Sequence, residues 1–210
     1  MKHVVMKRLA LSLAAAALLS GALTACVPLM VGGAVAGGSL FATDRRTSGA
    51  QLEDEGIELR ALSRIRGNVG DRVHVNLTSY NRQVLLTGEV PSAQDKQQVE
   101  QIVSQVENVN SVVNELAVMG NSSLRDRSSD VLVTGNVKAR LLDARDLQSN
   151  AFKVVTERGT TYLMGRVTQR EADRATAVVR GTTGVQKVVR IFETLSEGEL
   201  AGTLPAPVKQ

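Results

Sequence analysis

The sequence predicts an α+β protein of two tandem αββαβ domains, each a three-stranded mixed sheet with two helices on one face. Three observations carry this. The stretch Val84-Leu85-Leu86-Thr87-Gly88-Glu89-Val90 is echoed about 77 positions on by Thr161-Tyr162-Leu163-Met164-Gly165-Arg166-Val167. Val109-Asn110-Ser111-Val112-Val113 is echoed in turn by Val185-Gln186-Lys187-Val188-Val189. Two repeats of this length are too few for a solenoid and read as two like domains. Within each copy the apolar spacing changes from helical to strand period in the same order. The closing β-α-β of each copy requires a parallel pair with a right-handed crossover, after an antiparallel hairpin.

In the first domain, 51–119, Ile57, Ala61 and Ile65 lie at i, i+4, i+8 and predict a helix from about Glu53 to Arg66. Val73, Val75 and Leu77 alternate with His74, Asn76 and Thr78, as in a half-buried strand. Asn81 marks a turn into the strand Val84 to Val90. Pro91 and Ser92 open a helix, with proline near its first position and Ser92 as N-cap. Its apolar face is Val99, Ile102, Val103 and Val106, and Val112 to Val118 forms the last strand.

The second domain, 120–195, repeats the order. A helix is expected from about Asp130 to Leu142 and a strand from Phe152 to Thr156. Arg158-Gly159 is the turn, glycine being free to take positive φ. A strand from about Thr161 to Val167, a helix from Gln169 to Arg180 and a strand from Val188 to Thr194 complete it. Units of about 65 residues are marginal on core area alone, so the copies should dock. The Gly, Glu and Pro content of 196–210 reads as a disordered tail.

Residues 1–25 have the form of a signal peptide. Lys2, Lys7 and Arg8 precede an apolar run from Leu9 to Leu19, too short to span a bilayer. Leu23-Thr24-Ala25-Cys26 then resembles the lipobox of bacterial lipoproteins, in which the cysteine carries diacylglyceryl and N-acyl lipid. Cys26 is the only cysteine, so no disulfide is available and stability must come from packing. Residues 26–50, rich in small apolar residues and closing on the polar Asp44 to Gly49, read as a lipidated flexible tether. Val27 and Pro28 follow the cysteine, where an aspartate would mark inner-membrane retention. The expected site is the periplasmic face of the outer membrane.

Each αββαβ unit has an aliphatic-x-Gly-x-Val strand end, a polar helix and a closing Val-x-x-Val-Val strand. Together with Val75-Asn76-Leu77-Thr78-Ser79-Tyr80 and Tyr162 to Ala172, these resemble BON domains. Two such domains behind a lipobox are similar to the dual BON-domain outer-membrane lipoproteins. The resemblance implies a non-enzymatic role in envelope integrity, with anionic phospholipid such as phosphatidylglycerol bound by the second domain.

The residues themselves leave little for catalysis. His74 is the sole imidazole beyond the signal segment and is expected on the solvent side of its strand. Without a second His or a free Cys, no zinc site or Ser/His or Cys/His nucleophile can be assembled, so no cofactor is expected. Glu53, Asp54 and Glu55 are accounted for by a helix N-terminus. No tryptophan, two tyrosines and three phenylalanines give no platform for nucleic acid.

Charge separates the copies. Ala50 to Met119 holds ten acids and six bases, whereas Ser128 to Leu195 holds seven acids and eleven bases. On the helix from Asp130, Val133, Val137, Leu141 and Ala144 share the core face. Val131 and Leu142 point away, beside Lys138, with Leu132 to one side near Ala139. Apolar residues off the core face among Lys138, Arg140 and Arg145 fit an interfacial membrane helix. The predicted lipid-binding residues are Leu132, Gly135, Lys138, Ala139, Leu142 and Arg145. Packing of these leucines on the other domain or a loop is the alternative. Leu59 and Leu62 in the acidic first domain suit docking or a protein partner. The rival function is therefore an interaction module for envelope-assembly or secretion proteins.

Overall fold

The computed structural model describes residues 44–203, and side chains as far as Ala201. The signal segment, Cys26 and the tether up to Thr43 lie outside the described residues. The first domain runs α1 (Ser48–Val69), a 3-10 turn (Gly70–Arg72), β1 (His74–Tyr80), β2 (Gln83–Val90), α2 (Ala93–Ser104), β3 (Ser111–Asn114) and β4 (Ala117–Val118). The second runs α3 (Leu124–Asp143), a 3-10 turn (Ser149–Ala151), β5 (Phe152–Glu157), β6 (Thr160–Thr168), α4 (Gln169–Arg180) and β7 (Lys187–Leu195), followed by α5 (Glu197–Thr203).

The topology is as expected. β1 and β5 pair antiparallel with β2 and β6, and β3 and β7 join those central strands in parallel. The last strand of the first domain differs, being split into β3 and β4, both on β2, so that this sheet counts four strands. Asn114 causes the break. Its Oδ1 accepts the Leu116 N–H, and its Nδ2 donates to the Lys96 carbonyl and to Glu100 on α2.

Alternation along the central strands explains the docking of the copies. Val84 and Leu86 enter the first core, and Leu163 and Val167 the second. Leu85, Tyr162 and Met164 point the other way and meet Tyr80 and Ile191 in a third apolar cluster, sheet against sheet. Each sheet thus has helices on one face and its sister sheet on the other. His74 belongs to that inner face, which corrects the expectation that it meets solvent. It is half-buried, with Nδ1 2.9 Å from Oε2 of Glu89.

Both hairpins turn through two residues of positive φ, Asn81-Arg82 and Arg158-Gly159, the geometry that matches strand twist. A buried aspartate on the preceding helix holds each. Asp54 accepts the N–H groups of Asn81 and Arg82, and Asp130 those of Arg158 and Gly159. Asp54 is therefore not a dipole residue: α1 begins earlier, and no acid lies in its first turn.

Helix starts are the other correction. Thr47 caps α1, which begins at Ser48, five residues before the expected start, and a Ser123–Asp126 capping box starts α3 six residues early. Ser92 caps α2 as expected, but Pro91 stands before the cap rather than inside the helix. The expected tail begins with α5, where the Ser196 hydroxyl accepts the Glu199 N–H and the Glu199 carboxylate accepts the Ser196 N–H.

The end of the expected tether is also folded. The Arg45 guanidinium is buried, makes a bidentate pair with Glu171 at 2.7 Å and donates to the Arg166 carbonyl. Arg46 donates to Asp54 and Asp44 and lies 4.3 Å from the centroid of the Tyr80 ring. Asp44 to Arg46 therefore hold to both domains.

Candidate functional site

The outer face of α3 carries the largest group of exposed apolar side chains. Val133, Val137 and Leu141 are buried as predicted. Opposite them stand Leu124, Val131 and Leu142, exposed by 81%, 70% and 70%. At 100° per residue these three share an arc of about 80° with Arg127, Gly135 and Lys138. They form one stripe along the helix. Of the expected site residues, Gly135, Lys138 and Leu142 fall in it. Leu132 and Ala139 are exposed on a neighbouring line, and Arg145 is exposed just past the helix end.

Two grooves flank the stripe. One, of about 540 Å³, lies between α3 and the inner edge of the first domain, with His74, Asn76, Arg127, Val131, Gly135 and Lys138 in its lining. The other, of about 450 Å³, has Asp44, Lys138, Leu142 and Phe152 in its lining. Lys138 borders both. Leu132, Ala139 and Arg145 border neither.

Among the described residues the second domain's cations divide into paired and unpaired, and the unpaired ones include Lys153, Arg180 and Lys187 away from α3. Arg166, Arg174 and Arg190 are each held by a carboxylate. Lys138, Arg140 and Arg145 have no ion pair among the described residues, so their charge is available to a partner. Two site residues were missed in the sequence: Leu124 and Arg127, both upstream of the expected helix start. The Ser123-x-x-Asp126 spacing was the signal that could have found them.

Among the described residues no group of His, Cys, Asp or Glu is placed to hold a metal ion, and no helix is long and apolar enough to cross a membrane. The chemistry at hand is that of a surface: apolar side chains, unpaired cations and a polar groove.

The duplicated αββαβ fold has a clear counterpart among known families. A family model described as the BON domain matches residues 53–120 and 129–193, and the chain belongs to that family. It is 34% identical over 192 residues to "Outer membrane lipoprotein DolP" of Haemophilus influenzae, covering 90% of this chain and 97% of that one. It is 28% identical over 151 residues to the "21 kDa hemolysin" of Actinobacillus pleuropneumoniae, covering 71% and 78%. "Osmotically-inducible protein Y" of Escherichia coli matches at 28% over 123 residues, 57% of this chain and 61% of its own length. With two BON domains and a match along nearly the whole chain, the protein is an outer-membrane lipoprotein of the dual-BON type.

Proposed function

We propose that the protein is a non-enzymatic, lipid-anchored component of the periplasmic face of the outer membrane. It binds anionic phospholipid through α3 and so supports membrane integrity. Cys26, carrying diacylglyceryl and N-acyl lipid, supplies the anchor. The observation that carries the reading is the stripe on α3, where Leu124, Val131 and Leu142 are exposed beside Lys138, a cation with no ion pair among the described residues. Each basic residue near an anionic surface contributes about 1 kcal/mol, and apolar side chains gain further by shallow burial. The anchor makes attachment firm, and α3 adds a reversible contact that responds to lipid charge.

Vesicle co-sedimentation of the mature chain carrying Cys26→Ser tests this. Phosphatidylglycerol vesicles should capture it and neutral vesicles should not, and Lys138→Glu with Leu142→Asp should abolish the difference. Equal capture on both vesicle types, unchanged by that pair of substitutions, rejects the reading. The outcome would then favour a protein-interaction module for envelope-assembly partners. Leu52 and Leu59, both exposed and two turns apart on α1, are the surface that supports that second reading.

A further inference from the structure

We infer that β7 is a docking edge for a second copy of this chain, the two β7 strands pairing antiparallel about a two-fold axis normal to the sheets. β7 is the outer strand of its sheet and runs nine residues without glycine or proline. It pairs along its whole length with β6. The Lys187 N–H meets the Gly159 carbonyl, so the odd-numbered residues turn their backbone groups to β6, and Val188, Arg190, Phe192 and Thr194 turn theirs outward. Among the described residues no hydrogen bond reaches those outward groups. The helix that follows, α5, packs back against β6 and leaves the edge open.

A row of unpaired backbone groups is a template for another strand, and proteins guard such edges. The first domain does so. Asn114 folds its side chain over its own edge, Oδ1 taking the Leu116 N–H and Nδ2 tying it to α2. The matching position in the second domain is Arg190, which turns away from the edge and pairs with Asp173 on α4 at 2.9 Å. Glu193 is likewise turned to Arg166 and Asn81. The charges that could repel a neighbouring strand are thus tied to the protein's own side chains. Lys187 is the one charge on β7 with no ion pair among the described residues.

The occupant follows from the register. Outward residues must oppose outward residues in an antiparallel pair. With Arg190 on the two-fold axis, Lys187 stands opposite Glu193 of the second copy, Val188 opposite Phe192 and Val189 opposite Ile191. Opposite charges and apolar pairs across the strands are the stabilising combinations. Moving the axis to Ile191 or to Val189 sets Lys187 against Leu195 or Ile191 and loses the match. The two Arg190 side chains meet at the axis with their charge already balanced by Asp173. An axis normal to the sheets also leaves both α3 helices on one side of the joined sheet, as two copies resting on one bilayer require. The pairing itself does not depend on the phospholipid reading of α3. One strand pair is small beside a standard interface, so it is weak in free solution and gains where both copies are held on one surface.

The mature chain carrying Cys26→Ser and Arg190→Cys has a single thiol, and it loses only an exposed ion pair. That thiol lies on the axis, where paired strands bring Cα atoms to about 5.5 Å, within disulfide reach. The chain is held on neutral vesicles by an N-terminal His tag and nickel-chelating lipid, which asks nothing of α3, and is then oxidised. The expected yield of disulfide-linked dimer is about tenfold that of Cys26→Ser with Arg180→Cys, an exposed position on the same domain held at the same surface density. Adding Lys187→Glu, an exposed change that sets like charges across the pair, should return the yield to the Arg180→Cys level. A yield from Arg190→Cys no greater than that from Arg180→Cys overturns the inference. A high yield that survives Lys187→Glu overturns it as well, since the thiols would then meet in some other arrangement.

Discussion

Arg158 in the second domain's hairpin places Nη1 2.9 Å from Oε1 of Glu89 in the first, and the same nitrogen donates to the Gly88 carbonyl 3.0 Å away. Glu89 is fully buried and is also met by His74 and Ser122. The position equivalent to Glu89 in the second copy is Arg166, which pairs with Glu193, and Glu193 in turn accepts the Asn81 amide of the first hairpin. Each hairpin thus reaches an acid of the other domain. Inverted charge at one repeat position has become the fastening of the copies.

Arg158→Met should therefore loosen docking more than either core. Because Arg158 is a quarter exposed, a cost of about 1–3 kcal/mol is expected, below that of breaking a fully buried pair. Urea unfolding followed by Tyr162 fluorescence and by circular dichroism should separate into two transitions where the parent shows one.

Docking should also be acid-labile. Burial works to raise the pKa of Glu89, but hydrogen bonds from Ser122, His74 and Arg158 outweigh it and hold the carboxyl below its ordinary 4.5. Glu171 is depressed likewise, with burial outweighed by Arg45 and the Thr168 cap. A depressed acid contributes stability that is present above the unfolded pKa and lost as pH falls through the folded value. Stability measured from pH 7 downward should hold to about pH 4.5 and then fall, and Glu89→Gln should flatten the fall.

The glycines sort into two kinds. Gly88 has φ +110°, and a Cβ there would stand 2.1 Å from the His74 carbonyl oxygen; at Gly165 the corresponding distance to the Ala151 oxygen is 2.4 Å. Backbone cannot yield as a side chain can, so Gly88→Ala and Gly165→Ala should each cost about 2–5 kcal/mol. Gly135→Ala meets open space and should stabilise α3 by about 0.5–1 kcal/mol. Thermal melting of the three variants should give two large decreases and one small increase.

Lys138→Ala should weaken capture on phosphatidylglycerol vesicles about fivefold, the equivalent of about 1 kcal/mol, without lowering the melting temperature. Raising salt shortens the reach of exposed charge. The parent should accordingly lose more capture than the variant on going from dilute buffer to about 0.5 M NaCl. Equal losses would show that Lys138 does not face the lipid.

Much of this was legible in the sequence because repetition and periodicity are local. The echo of Val84–Val90 in Thr161–Val167 placed both central strands, and the i, i+4, i+8 spacing placed both core faces. Leu142 and Lys138 were found on the outer face by the same arithmetic. The misses have a common physical cause, a partner far away along the chain. Arg45 looks like one polar residue in a linker until Glu171, 126 positions on, is folded against it. His74 looks solvent-facing because the face opposite the helices is polar there, yet the sister domain covers that face. Asp54 looks like a dipole residue because its hairpin lies 27 positions downstream.

Removing the Arg45 side chain alone should cost about 3–5 kcal/mol, since Glu171 would stay buried without its counter-charge. Arg45→Ala combined with Glu171→Ala should recover part of that loss, which a double-mutant cycle in urea would measure.

The same arginine also decides what the two halves share. Arg45 is a buried guanidinium held by the second domain, and the next residue, Arg46, pairs with Asp54 of the first. A pull applied at Asp44 is therefore carried by both halves at once, so neither is peeled away by itself. That clasp also lies beside Leu142, because Asp44 and Leu142 line one groove.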